Sequence, residues 1–151
     1  MGSLEDQENS RCKLVDIVRD TAARYPERTV LRFEEREFSY HELVARVDDV
    51  VAVLRGADVR PGDRIAHFGL LEPNYLVTYL AAGEVGAIWV GLNPKYTERE
   101  LRHVLTDSQP CVVFAVFNVG GSGAPIASAV SDLPGARRIA LTGSWHGWKP
   151  L

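Results

Sequence analysis

Three short segments, 64–68, 87–92 and 112–117, are built mostly of apolar or small side chains instead of alternating apolar with polar at every second position. A strand with one wet face alternates, whereas a strand apolar throughout must be covered on both faces. Stretches with helical periodicity separate the three, so the covers are helices. The alternation specifies an α/β fold: a mostly parallel, doubly wound sheet with flanking helices. Right-handed crossovers then bring the carboxyl ends of the strands to one edge, where ligands of open α/β sheets bind. Loops 69–72, 93–96 and 118–123 fall on that edge.

The punctuation agrees with this plan. Leu14, Ile17, Val18, Ala22 and Tyr25 recur on one face of a first helix, expected to be the buried face, and Pro26 stops it. Residues 29–33 and 37–40 are rich in β-formers and flank Glu34, Glu35 and Arg36, a hairpin with its loop in water. Ser39 and Glu42 stand at capping-box spacing and open a second helix, whose stripe of Leu43, Val44, Val47, Val50, Val51 and Leu54 faces the core. Gly56 is expected to close it in a left-handed conformation. Pro61-Gly62 before Asp63 suits a type II turn, because Pro sets the first φ and Gly accepts the positive second one. Pro73 fits the first turn of a helix through 75–85, up to Gly86. Thr97 and Glu100 repeat the capping box on a helix burying Leu101, Val104 and Leu105. A short helix over 126–133 and a last strand over 138–141 follow. The expected organisation is a polar tail over 1–11, a single domain over 12–141 and an irregular tail over 142–151.

At 151 residues the chain can bury roughly 70% of its unfolded surface without a disulfide or metal staple. Cys12 and Cys111 lie far apart with no ligand spacing. Seventeen basic residues against twenty acidic give a net charge of -3 with the signs interspersed, which argues against a nucleic-acid partner or an anionic membrane surface. No apolar run reaches the roughly 20 residues of a bilayer span, and residues 1–11 lack a secretory core, so a cytoplasmic location is expected.

Chemistry is sparse. Gly120, Gly121, Ser122, Gly123 and Pro125 could offer backbone N–H groups to an anion, but Ile126 and Ala127 stand where a phosphate loop needs Lys and a hydroxyl, so a plain loop is the better reading. His41, His67, His103 and His146 are scattered with no metal or triad spacing. His67, inside an apolar strand, is expected to be a satisfied core or edge residue, and Trp89 to pack in the sheet. Trp145 and Trp148 leave two readings open, an exposed contact surface or a disordered tail. No residue is assigned a catalytic or metal-binding role. Asn93, Pro94 and Tyr96 are the candidate crevice-lining residues.

A family resemblance is carried by Phe38-Ser39-Tyr40 with Glu42-Leu43, Val59-Arg60-Pro61-Gly62-Asp63-Arg64-Ile65-Ala66, Gly86-Ala87, Leu92-Asn93-Pro94 with Tyr96-Thr97, Glu100-Leu101, and Leu105 with Asp107-Ser108. In this order and spacing, over about 14–117, the chain resembles the N-terminal part of the AMP-forming acyl-CoA synthetases, the adenylate-forming acid-CoA ligases. The stretch 93–96 is most similar to fatty or aryl acid-CoA ligases. The resemblance implies, for a complete enzyme, activation of a carboxylate by Mg-ATP as an acyl-adenylate and transfer of the acyl group to CoA. It also implies functional motifs further along: a Ser/Thr/Gly-rich phosphate loop ending in Pro-Lys, a Tyr-Gly-x-Thr-Glu segment, a ribose-binding Asp and a C-terminal catalytic Lys. None occurs in these residues. Leu71 stands where the family often has Asn, so that turn is expected to be held differently. The chain alone is therefore expected to bind none of ATP, Mg or CoA and to be inactive. Alternatives from other classes are a non-catalytic interaction module, self-associating or paired with a complementary fragment as half of a split ligase, and a small-ligand binder at 93–96.

Overall fold

The computed structural model describes residues 13–117 and 123–151. The polar tail, Cys12 and most of the loop at 118–123 lie outside the described residues. In chain order the elements are α1 (Leu14–Arg24), β1 (Thr29–Phe33), β2 (Arg36–Ser39), α2 (Tyr40–Gly56), β3 (Arg64–Phe68), α3 (Pro73–Val85), β4 (Ile88–Leu92), α4 (Glu98–Ser108), β5 (Val112–Val116), α5 (Ala124–Val130), β6 (Arg137–Thr142) and β7 (Lys149–Pro150). β1 and β2 form an antiparallel ribbon, and the other five strands form a parallel sheet in the order β4-β3-β5-β6-β7.

That order reverses direction once. From β3 the chain steps outward to β4, then returns across β3 to β5. The α3 side chains pack with α1 and α2 on the sheet face carrying Ile65, Val112 and Phe114. Those of α4 and α5 pack on the opposite face, with Ala66, Phe68, Val113 and Ala115. The fold is thus α/β and doubly wound, and the direction of winding switches between β3 and β5. Such a switch point is where open sheets of this kind hold ligands.

The local signals mostly act as expected. Ser39 Oγ accepts from the Glu42 N–H at 3.2 Å while Glu42 accepts from the Ser39 N–H at 2.9 Å. Thr97 and Glu100 make the same reciprocal pair on α4. Gly62 has φ 88, and Asp63 N–H donates to Arg60 O at 3.0 Å, closing the type II turn.

Four expectations are corrected. On α1, Leu14, Ile17 and Tyr25 are exposed and Val15 is the buried residue, because α1 lies along the rim against α2 and α3 and only one edge of its stripe reaches the core. Val44 on α2 and Val104 on α4 are only half-buried; the other five members of the α2 stripe, and Leu101 and Leu105 on α4, are buried. Gly56 ends α2 without taking positive φ; Asp58 adopts the left-handed conformation, φ 56, as the Val59 N–H reaches back to Leu54 O. The tail after β6 is not wholly irregular: Lys149–Pro150 pairs with β6, Trp148 is buried, and the Trp145 ring stacks on Phe117 with centroids 5.5 Å apart. The aromatics dock the tail because Phe117, just past β5, offers them two ring contacts, the second an edge contact with Trp148 at 5.0 Å.

Candidate functional site

At the carboxyl edge of the sheet, one strand away from the switch point, a crevice of about 590 Å³ opens between the ends of β3 and β4. The loop after β3 supplies Gly69, Leu70 and Leu71, α3 supplies Tyr75, the end of β4 supplies Gly91 and Leu92, and the following loop supplies Asn93, Pro94 and Tyr96. Parallel register sets this meeting, since Phe68 lies opposite Leu92 and both strands stop there. All three candidate residues read from the sequence therefore line one crevice. Asn93 also shapes its own loop: its Oδ1 accepts from the Lys95 N–H at 2.9 Å.

The turn that follows Leu71 is held by Glu72. Glu72 caps α3, its carboxylate accepting from the Asn74 N–H at 3.1 Å and the Asn74 side-chain amide at 3.2 Å. Burial pushes the Glu72 carboxyl up from its ordinary pKa against these hydrogen bonds.

Next to Tyr75 and Gly91 sits a polar cluster that the linear sequence does not disclose. His67 is fully buried, and its Nδ1 lies 2.9 Å from Thr78 Oγ1. The same oxygen accepts from Trp89 Nε1–H at 3.2 Å and donates to Tyr75 O at 3.2 Å. With the hydroxyl proton on the Tyr75 carbonyl, Nδ1 carries the imidazole proton and donates to Thr78, so every contact at that oxygen forms at once. The Tyr75 ring meets Trp89 edge-on at 4.7 Å and His67 at 5.4 Å. Expected as a satisfied residue, His67 is satisfied on one side only: Nε2 is buried without a hydrogen-bond partner. Burial pushes its pKa down to about 4, so the ring is neutral at pH 7.

His41, His103 and His146 are exposed and apart from this cluster. Gly120, Gly121 and Ser122 lie outside the described residues, and Pro125 belongs to α5. Among the described residues no group of three or more His, Cys, Asp or Glu side chains is placed to hold a metal. The crevice lining is uncharged. These crevice residues do not fit a magnesium–nucleotide group.

Comparison with known proteins gives this geometry a context. A family model described as AMP-binding enzyme matches residues 18–145. A feruloyl-CoA synthase of an Amycolatopsis species is 42% identical over 88 residues, covering 58% of this chain and 18% of that protein. A long-chain-fatty-acid–CoA ligase of Bacillus subtilis strain 168 is 31% identical over 103 residues, 68% of this chain and 18% of the relative. Among solved structures, the acetoacetyl-CoA synthetase of Streptomyces lividans superposes with a TM-score of 0.81 at 25% identity, covering 91% of this chain and 24% of that one. The chain thus spans under a fifth of the length of these curated relatives. Its likeness is to the N-terminal region of acyl-CoA and aryl-CoA ligases. No helix among the described residues is long and apolar enough to cross a membrane. With the matched model running over most of its length and the fold in agreement, the chain belongs to the AMP-binding enzyme family.

Proposed function

We propose that this chain serves as the amino-terminal scaffold of a cytoplasmic ATP-dependent ligase that activates a fatty or aryl carboxylate as its adenylate and transfers it to CoA. In this reading the chain supplies one wall of the ligand site, with Asn93, Pro94 and Tyr96 touching the ligand. The observation that carries it is the family match over 18–145 together with a crevice at the carboxyl ends of β3 and β4, the edge where open α/β sheets bind ligands. The groups that grip ATP, Mg and CoA come from sequence these residues do not contain. Charge-assisted hydrogen bonds contribute about 1.5 to 3 kcal/mol each, so a scaffold lacking several phosphate donors loses most of a nucleotide's affinity. Losing even one preorganised donor commonly costs about a hundred- to a thousandfold in rate. Calorimetric titration with AMP tests the reading: no saturable heat is expected, and a micromolar AMP site on the chain alone would overturn it.

A second reading, half of a split ligase or a module that pairs with another chain, is favoured by one surface. β4 is an edge strand of the sheet; its own Ile88, and Tyr79 and Leu14 grouped around its Trp89, are about half exposed. An unpaired, apolar strand edge is a template for association. Native mass spectrometry discriminates the two: a stable dimer or a co-purifying second polypeptide supports the module, and a clean monomer at high concentration removes it.

A further inference from the structure

We propose that the crevice between β3 and β4 takes a ligand bearing a phenolic hydroxyl, which donates a hydrogen bond to Nε2 of His67. The inference rests on reading the crevice as a ligand site and names the chemistry that the site selects.

Charge comes first. The lining carries no ionised side chain, so a carboxylate or phosphate seated there would lose its hydration with no opposite charge to replace it. What the lining offers is aromatic and aliphatic surface from Tyr75, Leu71, Pro94 and Tyr96, in a volume of about 590 Å³ with ample room for an aromatic ring and its substituents.

The polar handle is His67. With Nδ1–H donating to Thr78, Nε2 presents a lone pair, and nothing among the described residues donates to it. A buried acceptor without a partner is uncommon in folded proteins, and each case asks for a reason. This one sits beneath the crevice wall: a Cβ on Gly69 would stand 3.0 Å from Nε2, and Gly69 itself lines the crevice. Glycine is therefore the residue that keeps the approach to Nε2 open. Leu70 and Leu71 of the same lining are 54% and 78% exposed and belong to neither core cluster, so a ligand that moves them gives up little apolar burial. A ligand that meets a lone pair must donate, and a phenol combines that donor with the flat apolar body the walls accept. An alcohol on a flexible chain donates too but forgoes the ring contacts.

The test uses the full 151-residue chain, labelled with ¹⁵N-histidine, and two probes, 4-ethylphenol and its methyl ether. We expect 4-ethylphenol to move the His67 Nε2 resonance while Nδ1 stays in place. The ether, which cannot donate, should bind about tenfold more weakly, the loss of one hydrogen bond. In His67→Phe the two probes should bind alike. Equal affinity of the two probes for the native chain, or phenol binding with Nε2 unmoved, would overturn the anchor and leave the crevice a ligand site. Binding by neither would overturn the crevice reading as well, and the AMP titration then judges the ligase assignment by itself. The native spectrum decides the matter even where His67→Phe does not fold.

Discussion

Nδ1 of His67 on β3 stands 2.9 Å from Oγ1 of Thr78 on α3, and the Trp89 indole of β4 donates to the same oxygen. One hydroxyl thus joins three elements beside the crevice. Thr78→Val keeps the shape and removes the acceptor, stranding the imidazole and indole N–H groups. An unsatisfied buried donor costs about 1 to 3 kcal/mol, so urea unfolding should show a loss in that range, with Thr78→Ser close to the native chain. An unchanged midpoint for Thr78→Val would remove the hydroxyl from this role.

Acid should weaken the fold through His67. Its pKa is about 4 in the folded chain against 6.5 in the unfolded one, so below 6.5 the unfolded state binds the extra proton. The contribution is fully present above pH 6.5 and is lost as pH falls toward 4. Between pH 7 and pH 5 the loss is about 2 kcal/mol by linkage. His67→Phe has no proton to take up, so its stability should fall less over the same interval. Parallel pH profiles for the two proteins would contradict the burial of this ring.

Gly143 ends β6 with φ 72, and a Cβ there would run into the backbone carbonyl of Phe117. A backbone atom cannot swing aside as a side chain can. Gly143→Ala combines left-handed strain with this overlap and should lower stability by about 2 kcal/mol or more. At Gly135 a Cβ meets nothing within 4 Å, so Gly135→Ala is the control and should change the melting temperature little.

The docked tail gives another expectation. Trp148 is buried against Phe117 and the α4–α5 face. Trp148→Ala should cost about 3 kcal/mol and expose 143–151 to limited proteolysis before the rest of the domain opens. Cleavage at the native rate would mean that the tail is not held by this contact.

These sites also show what a sequence discloses. Ser39 with Glu42 and Thr97 with Glu100 are legible because both partners of each cap lie three residues apart. Asn93, Pro94 and Tyr96 are legible as crevice residues because strand order alone decides which loops share an edge. The Thr78–His67–Trp89 cluster is not, since Thr78 is eleven residues from each partner and the meeting depends on how α3 crosses β3 and β4. The buried edge of α1 escapes for a related reason: periodicity shows that a stripe exists, and the neighbours decide how much of it is covered. At the end of α2, glycine's freedom pointed to Gly56, while the Val59 bond to Leu54 placed the left-handed residue at Asp58.

In the proposed function these residues shape a ligase site while the nucleotide chemistry comes from sequence outside them. Carboxylate-dependent exchange of pyrophosphate into ATP tests it most directly, with the purified 151-residue chain offered a fatty acid and an aryl acid in turn. Exchange should stay at the no-protein background with both. Sustained, acid-dependent exchange that co-elutes with the chain on gel filtration would mean that the 151 residues carry the nucleotide chemistry themselves.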